Sequence, residues 1–336
     1  MRIFEKIAEI PITAGGTSNR ITIPPLGYLT ELRLHCRDLT ITATGGGWTE
    51  DAGMHLFQRI EVLAGGSVIR SLTGRAAWHR HRLDHRHQAH YALSAYSSGG
   101  SFDIVIPIEF VTPRSFNPLA TAVPVKWFGR DGVVLQVTFG PAANLSSGTT
   151  PAITASQVVE VVAIYEESLT VEPRHFRTQY ESVHVCDTSA ASQESISLDD
   201  RDGLRSIMLI CTDAASDLTK DATMNNHSTW RLFGASMGES RKRIVESHYE
   251  LVWRDTMLDA GLPEITHGGD LATPTVKHAH NGVLEHHFDP HGQLDALNVR
   301  SKMSGLDLET IGLNAAADKI WFTTEQIEVI PAMLNP

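Results

Sequence analysis

The chain has 336 residues, of which 42% are hydrophobic and 20% charged, and its formal net charge is -11. These apolar side chains suffice for a buried core, which excludes a disordered chain. The acidic balance disfavours specific binding of nucleic acid, because proteins that wrap nucleic acid need a basic face. The three cysteines, Cys36, Cys186 and Cys211, are widely spaced, which excludes a disulfide framework and a CxxC zinc site. We expect three buried thiols.

The N-terminal residues "MRIFEKIAEI" place Ile3, Phe4 and Ile7 on one face of a predicted helix. They lack the long apolar segment and the cleavage site of a signal peptide. No run of about 18 apolar residues follows, so no membrane-spanning helix is expected. Packing under a neighbouring subunit is the preferred interpretation of this segment, and contact with a membrane is the alternative.

Alternating apolar and polar residues predict β-strands through most of the chain, with Gly-rich and Pro-rich turns between them. The strands of the first half are NRITIPPL, LTELRLHCRDLTITA, HLFQRIEVLA, SFDIVIPIEFV, GVVLQVTFG and VVEVVAIYEESLTV. Those of the second half are ESISL, LRSIMLICTD, STWRLFGAS and KIWFTTEQIEVI. Two helices are predicted, over residues 72–93 and over residues 238–258, where Ile244, Val245, Tyr249 and Val252 recur at helical spacing.

An internal repeat relates the two halves. "ITIPPLGYLTELRLHCRD" from Ile21 aligns without a gap with "ISLDDRDGLRSIMLICTD" from Ile196, an offset of 175 residues. In each half, a loop, a hairpin, a predicted helix and a closing strand with acidic residues follow. The sequence therefore predicts an all-β protein of two tandem eight-stranded jelly-roll sandwiches, each with a short flanking helix. A Pro-containing polar stretch near residues 170–182 places the boundary, which gives units of residues 1–172 and 173–336.

Three segments of the first half resemble the double-jelly-roll major capsid proteins of tailless icosahedral viruses of the adenovirus-hexon lineage. They are "IPITAGGTSNRITIPPLGYLTELRLHCRDLTIT", "HLFQRIEVLAGGSVIRSLTG" with its helix, and "SFDIVIPIEFVTPRSFNPLATAVPVKWFGRDGVVLQVTFG". The resemblance covers residues 10–168 and is weaker over 180–330, where the order of elements carries it. The small bacteriophage members, which often enclose a membrane, are the most similar, because this chain lacks long tower insertions.

The resemblance implies a structural protein and no enzyme, with no catalytic residues and no cofactor. Three copies would form a homotrimer with a pseudo-hexagonal outline, and these capsomers would tile an icosahedral shell. The implied partners are the chain itself, neighbouring capsomers, penton or minor capsid proteins, and an internal viral membrane. The implied location is the virion, assembled in the host cytoplasm.

A histidine-rich segment in the first predicted helix raises a metal-binding alternative. His81 and His85 lie one helical turn apart, a spacing that can hold zinc. The interleaved arginines, including Arg80 and Arg82, oppose a divalent ion, and Asp84 is the only carboxylate of the segment. We therefore expect no metal here, and interpret the segment as a polar helix that lies partly between subunits, with Trp78 and Leu83 facing the core.

Two enzyme interpretations were weighed against the capsid interpretation. "HAHNGVLE" places His278, His280 and Glu285 in a pattern that imitates the metal motif of cupins, but Asp295 stands where the third histidine is needed. A cupin-like metal-dependent enzyme or a carbohydrate-binding β-sandwich is thus the alternative function. "GASMG" matches the nucleophile elbow of hydrolases, with Ser236, Asp270 and His278 as a triad. The chain shows no β-α alternation to support that elbow.

Overall fold

The structure is a computed structural model, and it describes residues 1–18, 20–45, 52–85, 101–113, 115, 117–129, 132–146, 148–154, 157–170, 172–173, 175–186, 193–198, 203–212, 229–235, 242–248, 283–288, 304–311 and 319–329. Strands dominate these residues, as the alternating pattern predicts. The strands are β1 (Arg2–Pro11), β2 (Ile21–Ile23), β3 (Tyr28–Leu39), β4 (Ile41–Thr44), β5 (Phe57–Ala64), β6 (Ser67–Leu72), β7 (Phe102–Glu109), β8 (Val123–Pro124), β9 (Val133–Phe139), β10 (Thr149–Ile153), β11 (Val158–Glu166), β12 (His175–Val185), β13 (Gln193–Leu198), β14 (Leu204–Thr212), β15 (Thr229–Ala235), β16 (Lys242–His248), β17 (Val283–His287), β18 (Ser304–Ile311) and β19 (Lys319–Val329). The α-helices are α1 (Ala52–His55) and α2 (Gly74–His85).

The chain divides into two compact units. The first comprises residues 1–81, 91–181 and 327–336, and the second comprises residues 82–90 and 182–326. The division at residue 81 falls inside helix α2.

Among its described residues, the first unit contains two large, mainly antiparallel sheets and a small antiparallel sheet of β10 and β4. One has the strand order β1-β11-β3-β7, with the short β8 also pairing with β3. The other has the order β6-β5-β9-β2, and β12 adds to it in parallel beside β6. Inward residues alternate along the strands: in β9, Val133, Leu135, Val137 and Phe139 are buried and the residues between them are half-buried. This alternation buries the apolar side of each strand in one core.

The second unit repeats this arrangement. Its sheets have the orders β19-β14-β17 and β13-β18-β15-β16. Residues of both sheets form one hydrophobic cluster, which includes Leu209 of β14, Trp230 of β15, Leu308 of β18 and Phe322 of β19. The two sheets therefore pack face to face as a sandwich.

The strand order confirms the duplication that the sequence repeat predicts. In the first unit, β3 lies between β11 and β7, and in the second, β14 lies between β19 and β17. The orders β2-β9-β5-β6 and β13-β18-β15-β16 correspond strand by strand in the same way. The aligned pairs Leu29/Leu204 and Cys36/Cys211 are buried in their respective units. The prediction of an all-β protein with two tandem jelly rolls is confirmed.

Two predicted helices need correction. Residues 2–11 form strand β1, which pairs along its length with β11, and Phe4 is 57% exposed. A short isolated helix is only marginally stable, and the β-branched and aromatic residues of this segment favour a strand. Pairing with β11 stabilises that strand. Lys242–His248, inside the predicted helix over residues 238–258, form strand β16 and pair with β15. Tyr249 and Val252 lie outside the described residues.

Helix α2 confirms the prediction of a helix after the central hairpin, over Gly74–His85. Trp78 and Leu83 are buried, as expected. Within Gly74–His85, only His81 and His85 escape full burial. The location of the helix partly between subunits stays a prediction, and residues 86–93 of the predicted helix lie outside the described residues. Arg75, Arg80, Arg82 and Asp84 are all buried within the single chain. Among the described helices, none has the length and apolarity needed to cross a lipid bilayer.

Candidate functional site

The first turn of α2 is anchored by a carboxylate from β12. Thr73 caps the helix, since its hydroxyl oxygen accepts a hydrogen bond from the Ala76 N–H at 3.1 Å. The Thr73 N–H and hydroxyl donate to the two carboxylate oxygens of Glu181 at 2.5 and 3.1 Å. Burial raises the pKa of Glu181 to about 6, although the bonds from Thr73 oppose that rise.

A second buried pair lies beside this cap. The guanidinium group of Arg75 approaches both ring nitrogens of His55, at 3.3 and 3.4 Å. Burial, with a smaller contribution from the positive charge of Arg75, lowers the pKa of His55 to about 3. His55 is therefore a neutral ring at physiological pH.

The last two turns of α2 present the histidines that the sequence singled out. The structure places His81 beside Glu109, the last residue of β7, and His85 lies one helical turn beyond His81. His81 Nδ1 and Glu109 Oε1 are 3.2 Å apart. Sequence reasoning missed Glu109; its only signal is an acidic residue at the end of the apolar run "SFDIVIPIEFV".

Buried arginines fix the backbone where β7 ends. Arg70 donates to the carbonyl oxygen of Glu109 at 2.7 Å and lies over the ring of Phe110, 4.9 Å from its centroid. Arg177 donates to the carbonyl oxygen of Val111 at 2.5 Å. These guanidinium groups satisfy carbonyls near the end of a strand that lies at the edge of its sheet.

The cupin-like candidates are only partly described. His278 and His280 lie outside the described residues. Glu285 is buried in β17, and one of its carboxylate oxygens lies 2.7 Å from Nε2 of His287. A cavity of about 40 Å³ beside β17 is lined by Glu285, Trp230 and Leu284. Leu284 belongs to the hydrophobic cluster, so the neighbouring Glu285 side chain lies on the opposite face of the sheet, beside His287.

The surroundings of Ser236 do not match the strand and helix of a nucleophile elbow. Ser236, Asp270 and His278 lie outside the described residues, but Gly234 and Ala235 end strand β15. Both neighbours of β15, namely β16 and β18, run antiparallel to it. An elbow needs a strand of a parallel sheet followed by a helix, and the next described element here is a strand.

A network of charges covers the outer face of the sheet β1-β11-β3. Glu160 lies at its centre, with Lys6 at 3.0 Å, Arg37 at 3.2 Å and Nδ1 of His35 at 3.9 Å. The hydrogen bond from Lys6 is the main cause that lowers the pKa of Glu160. Such exposed pairs contribute little to stability, so this face is best described as a solvated polar surface.

Comparisons with solved structures identify proteins of similar fold. No protein-family model and no curated protein matches the sequence. Among solved structures, the major capsid protein of STIV (Sulfolobus Turreted Icosahedral Virus) is similar with a TM-score of 0.67, 11% identity, and coverage of 99% of this chain and 98% of that chain.

Two further capsid proteins have the same fold. The Faustovirus major capsid protein gives a TM-score of 0.62 with 11% identity, covering 98% of this chain and 91% of the other. The major capsid protein P2 of bacteriophage PM2 gives a TM-score of 0.55 with 12% identity and 98% coverage of both chains. At such low identity, these likenesses establish the double-jelly-roll fold over nearly the whole chain.

Proposed function

We propose that this protein is the structural major capsid protein of an icosahedral virus, and that it acts without catalysis. The observation that carries the proposal is the duplicated strand order, which runs through both units in a chain of nearly the same length as the capsid proteins it resembles. Those three proteins come from viruses of different kinds, which favours a shared architectural role over a shared ligand.

The duplication suits a shell because two similar units in each of three chains give six similar sides. A trimer then has a pseudo-hexagonal outline, and one kind of surface can meet six neighbours under closed symmetry. The units are proposed as residues 1–172 and 173–336. The other capsomers, penton or minor capsid proteins and an internal viral membrane are the further proposed partners, in a virion assembled in the host cytoplasm.

The position of strand β1 supports self-association as the proposed partnership. It lies at the edge of its sheet, with β11 as its one neighbour among the described strands. Phe4 and Met1, at its start, are among the most exposed large apolar side chains of the described residues. An exposed edge with apolar side chains favours aggregation unless a partner covers it, and a symmetric assembly provides one.

The proposal is tested by the mass and outline of the purified protein. We expect light scattering to give about 111 kDa, three times the 36.9 kDa chain. Negative-stain electron microscopy should show compact particles with a six-sided outline, which higher protein concentration drives into sheets or shells. The variant Phe4→Glu should weaken assembly, because it places a charge on the exposed edge strand, while leaving the circular dichroism spectrum unchanged. A monomer or dimer at all concentrations contradicts the proposal.

A further inference from the structure

We propose that the core of the second unit binds one small apolar molecule, of hydrocarbon or noble-gas chemistry, in a preformed cavity between its two sheets. The cavity has a volume of about 40 Å³ and is lined by residues of β14, β15, β17 and β18. All four strands belong to the second unit, so the site is complete within that unit. The proposal goes beyond a structural role in a shell, and it does not depend on the oligomeric state.

The cavity lies between the sheets, because both sheets contribute side chains to its lining. The apolar lining residues all belong to the hydrophobic cluster of the unit, and each is at most 6% exposed. They are Ile207, Leu209 and Leu284 from the sheet β19-β14-β17, and Trp230, Leu232 and Leu308 from the sheet β13-β18-β15-β16. A guest molecule in the cavity would therefore contact apolar side chains from two opposite directions.

This lining favours an apolar guest over water. A cavity needs roughly 10–15 Å³ of volume to hold one water molecule, and that water needs about two to four polar partners. The cavity is about three times larger than this minimum, but aliphatic side chains offer no hydrogen bonds. An apolar guest needs none, and its dispersion contacts replace those that an empty cavity lacks.

The charged residues beside the cavity direct their side chains away from it. Arg231 lies between Trp230 and Leu232 in β15, and Glu285 follows Leu284 in β17. Because successive side chains of a strand point to opposite faces, Arg231 and Glu285 face the outer sides of their sheets. Among the described lining residues, the cavity thus receives no charged side chain that would hold an ionic ligand.

The position of the cavity beside β17 provides a route of entry. This strand is the outermost described strand of its sheet, with β14 as its one described neighbour. His286 of β17 also lines the cavity and is half-buried, and its ring packs edge-on against Phe288. A strand that is paired on one side opens more readily than a central strand, because fewer hydrogen bonds hold it. We therefore expect a guest to enter past His286.

The competing explanation is a void that stays empty. Protein interiors contain a few such voids, and each simply lacks contacts on one side of its lining. Both explanations predict that a larger side chain can fill the space. Only a binding site also takes up an apolar molecule from solution, so uptake separates the two explanations.

The test uses the full chain and dissolved xenon, which binds engineered cavities lined by Leu, Ile and Phe. Xenon NMR spectroscopy should show a saturable change in the xenon chemical shift as the protein is titrated. The midpoint of thermal unfolding should rise with xenon pressure, because a ligand that binds only the folded chain stabilises it.

The variant Leu232→Phe should remove the xenon response, because its ring occupies the cavity. The matched control is Leu198→Phe. Leu198 belongs to the same hydrophobic cluster and is 3% exposed against 4% for Leu232, but it is not among the described residues that line the cavity. The control should keep the xenon response.

Circular dichroism and elution volume establish that each variant is folded, and Leu308→Phe replaces Leu232→Phe if the latter is not. The proposal is overturned if the natural chain shows no saturable xenon response, which would indicate an empty void. It is also overturned if the variant that fills the cavity responds to xenon as Leu198→Phe does. Light scattering tests the proposed trimer separately, so failure of one proposal is distinguishable from failure of the other.

Discussion

At the residue scale, two titratable side chains beside the start of α2 respond to pH in opposite directions. Glu181 has a raised pKa of about 6, and His55 has a lowered pKa of about 3. Both side chains are affected by the positive charge of Arg75, but burial is the larger cause for each. Folding therefore favours the neutral form of both groups. At any pH where a group is ionised in the unfolded chain, this preference lowers the free energy of unfolding.

Glu181→Gln should isolate the contribution of the carboxylate. Because the folded pKa of about 6 exceeds the usual 4.5, the stabilisation from Glu181 is complete below about pH 4.5 and is lost as pH rises through 6. The free energy of unfolding of the natural chain, minus that of Glu181→Gln, should fall by about 1–2 kcal/mol between about pH 4 and 7. Urea unfolding at several pH values measures it. A difference that rises with pH would contradict the raised pKa of Glu181. The titration of His55 does not affect the difference, because both chains contain His55.

At the element scale, a buried ion pair joins the adjacent strands β14 and β19 of the second unit. Arg205 of β14 donates to the carboxylate of Glu325 on β19, and both side chains are about 1% exposed. Ser206 is the register partner of Glu325, so the pair lies where the two strands meet. The desolvation penalty of burying such a pair cancels much of its electrostatic attraction, whereas a single buried charge without a partner is strongly destabilising.

Arg205→Met should therefore lower the free energy of unfolding by about 3–5 kcal/mol, since it leaves the carboxylate of Glu325 buried without its guanidinium partner. The double variant Arg205→Met/Glu325→Leu should recover most of that loss. The control, Arg59→Met, removes an exposed pair with Glu61 and should change stability by less than about 1 kcal/mol. Chemical denaturation measures all four chains. A double variant less stable than Arg205→Met would refute the argument.

At the scale of the whole molecule, each unit encloses its own core, and each core contains a thiol. Cys36 is buried in the first unit, and Cys186 and Cys211 belong to the hydrophobic cluster of the second. Burial raises the pKa of Cys36 to about 12, which suppresses its reactive thiolate form. The expected three buried thiols are confirmed, and they can report on the two cores separately.

Thiol labelling should detect no fast-reacting cysteine in the native protein and three after full denaturation. Chains that keep only Cys36 or only Cys211 should each react slowly in native buffer, because labelling requires the surrounding sandwich to open. A single cysteine placed at the exposed Val185 serves as a control that reacts at once. Rapid native labelling of Cys211 would show that the second core is not closed as described.

Much of the fold could be predicted from local pattern. In strands such as β9, buried apolar residues alternate with half-buried residues, because one side packs in a core and the other does not. The predicted helix over residues 238–258 fails at Ile244 and Val245, whose helical spacing from Tyr249 and Val252 suggested a helix although β-branched residues favour strands. There, antiparallel pairing with β15 decides for the strand.

The site was less predictable. The spacing of His81 and His85 was visible on the helix, but Glu109 is 24 residues further along the chain than His85. The burial of Arg70 and Arg177 could not be expected from composition, because arginine is usually exposed. The close approach of backbone carbonyls supplies acceptors that make such burial tolerable.

The sequence by itself determined that this protein is built of strands in two similar halves, because alternation and repetition are local properties of a chain. The tertiary structure alone decided which distant side chains meet, including His81 with Glu109 and Arg205 with Glu325. The physical reason is that strand pairing and core packing join residues far apart in sequence, and no local pattern encodes those contacts.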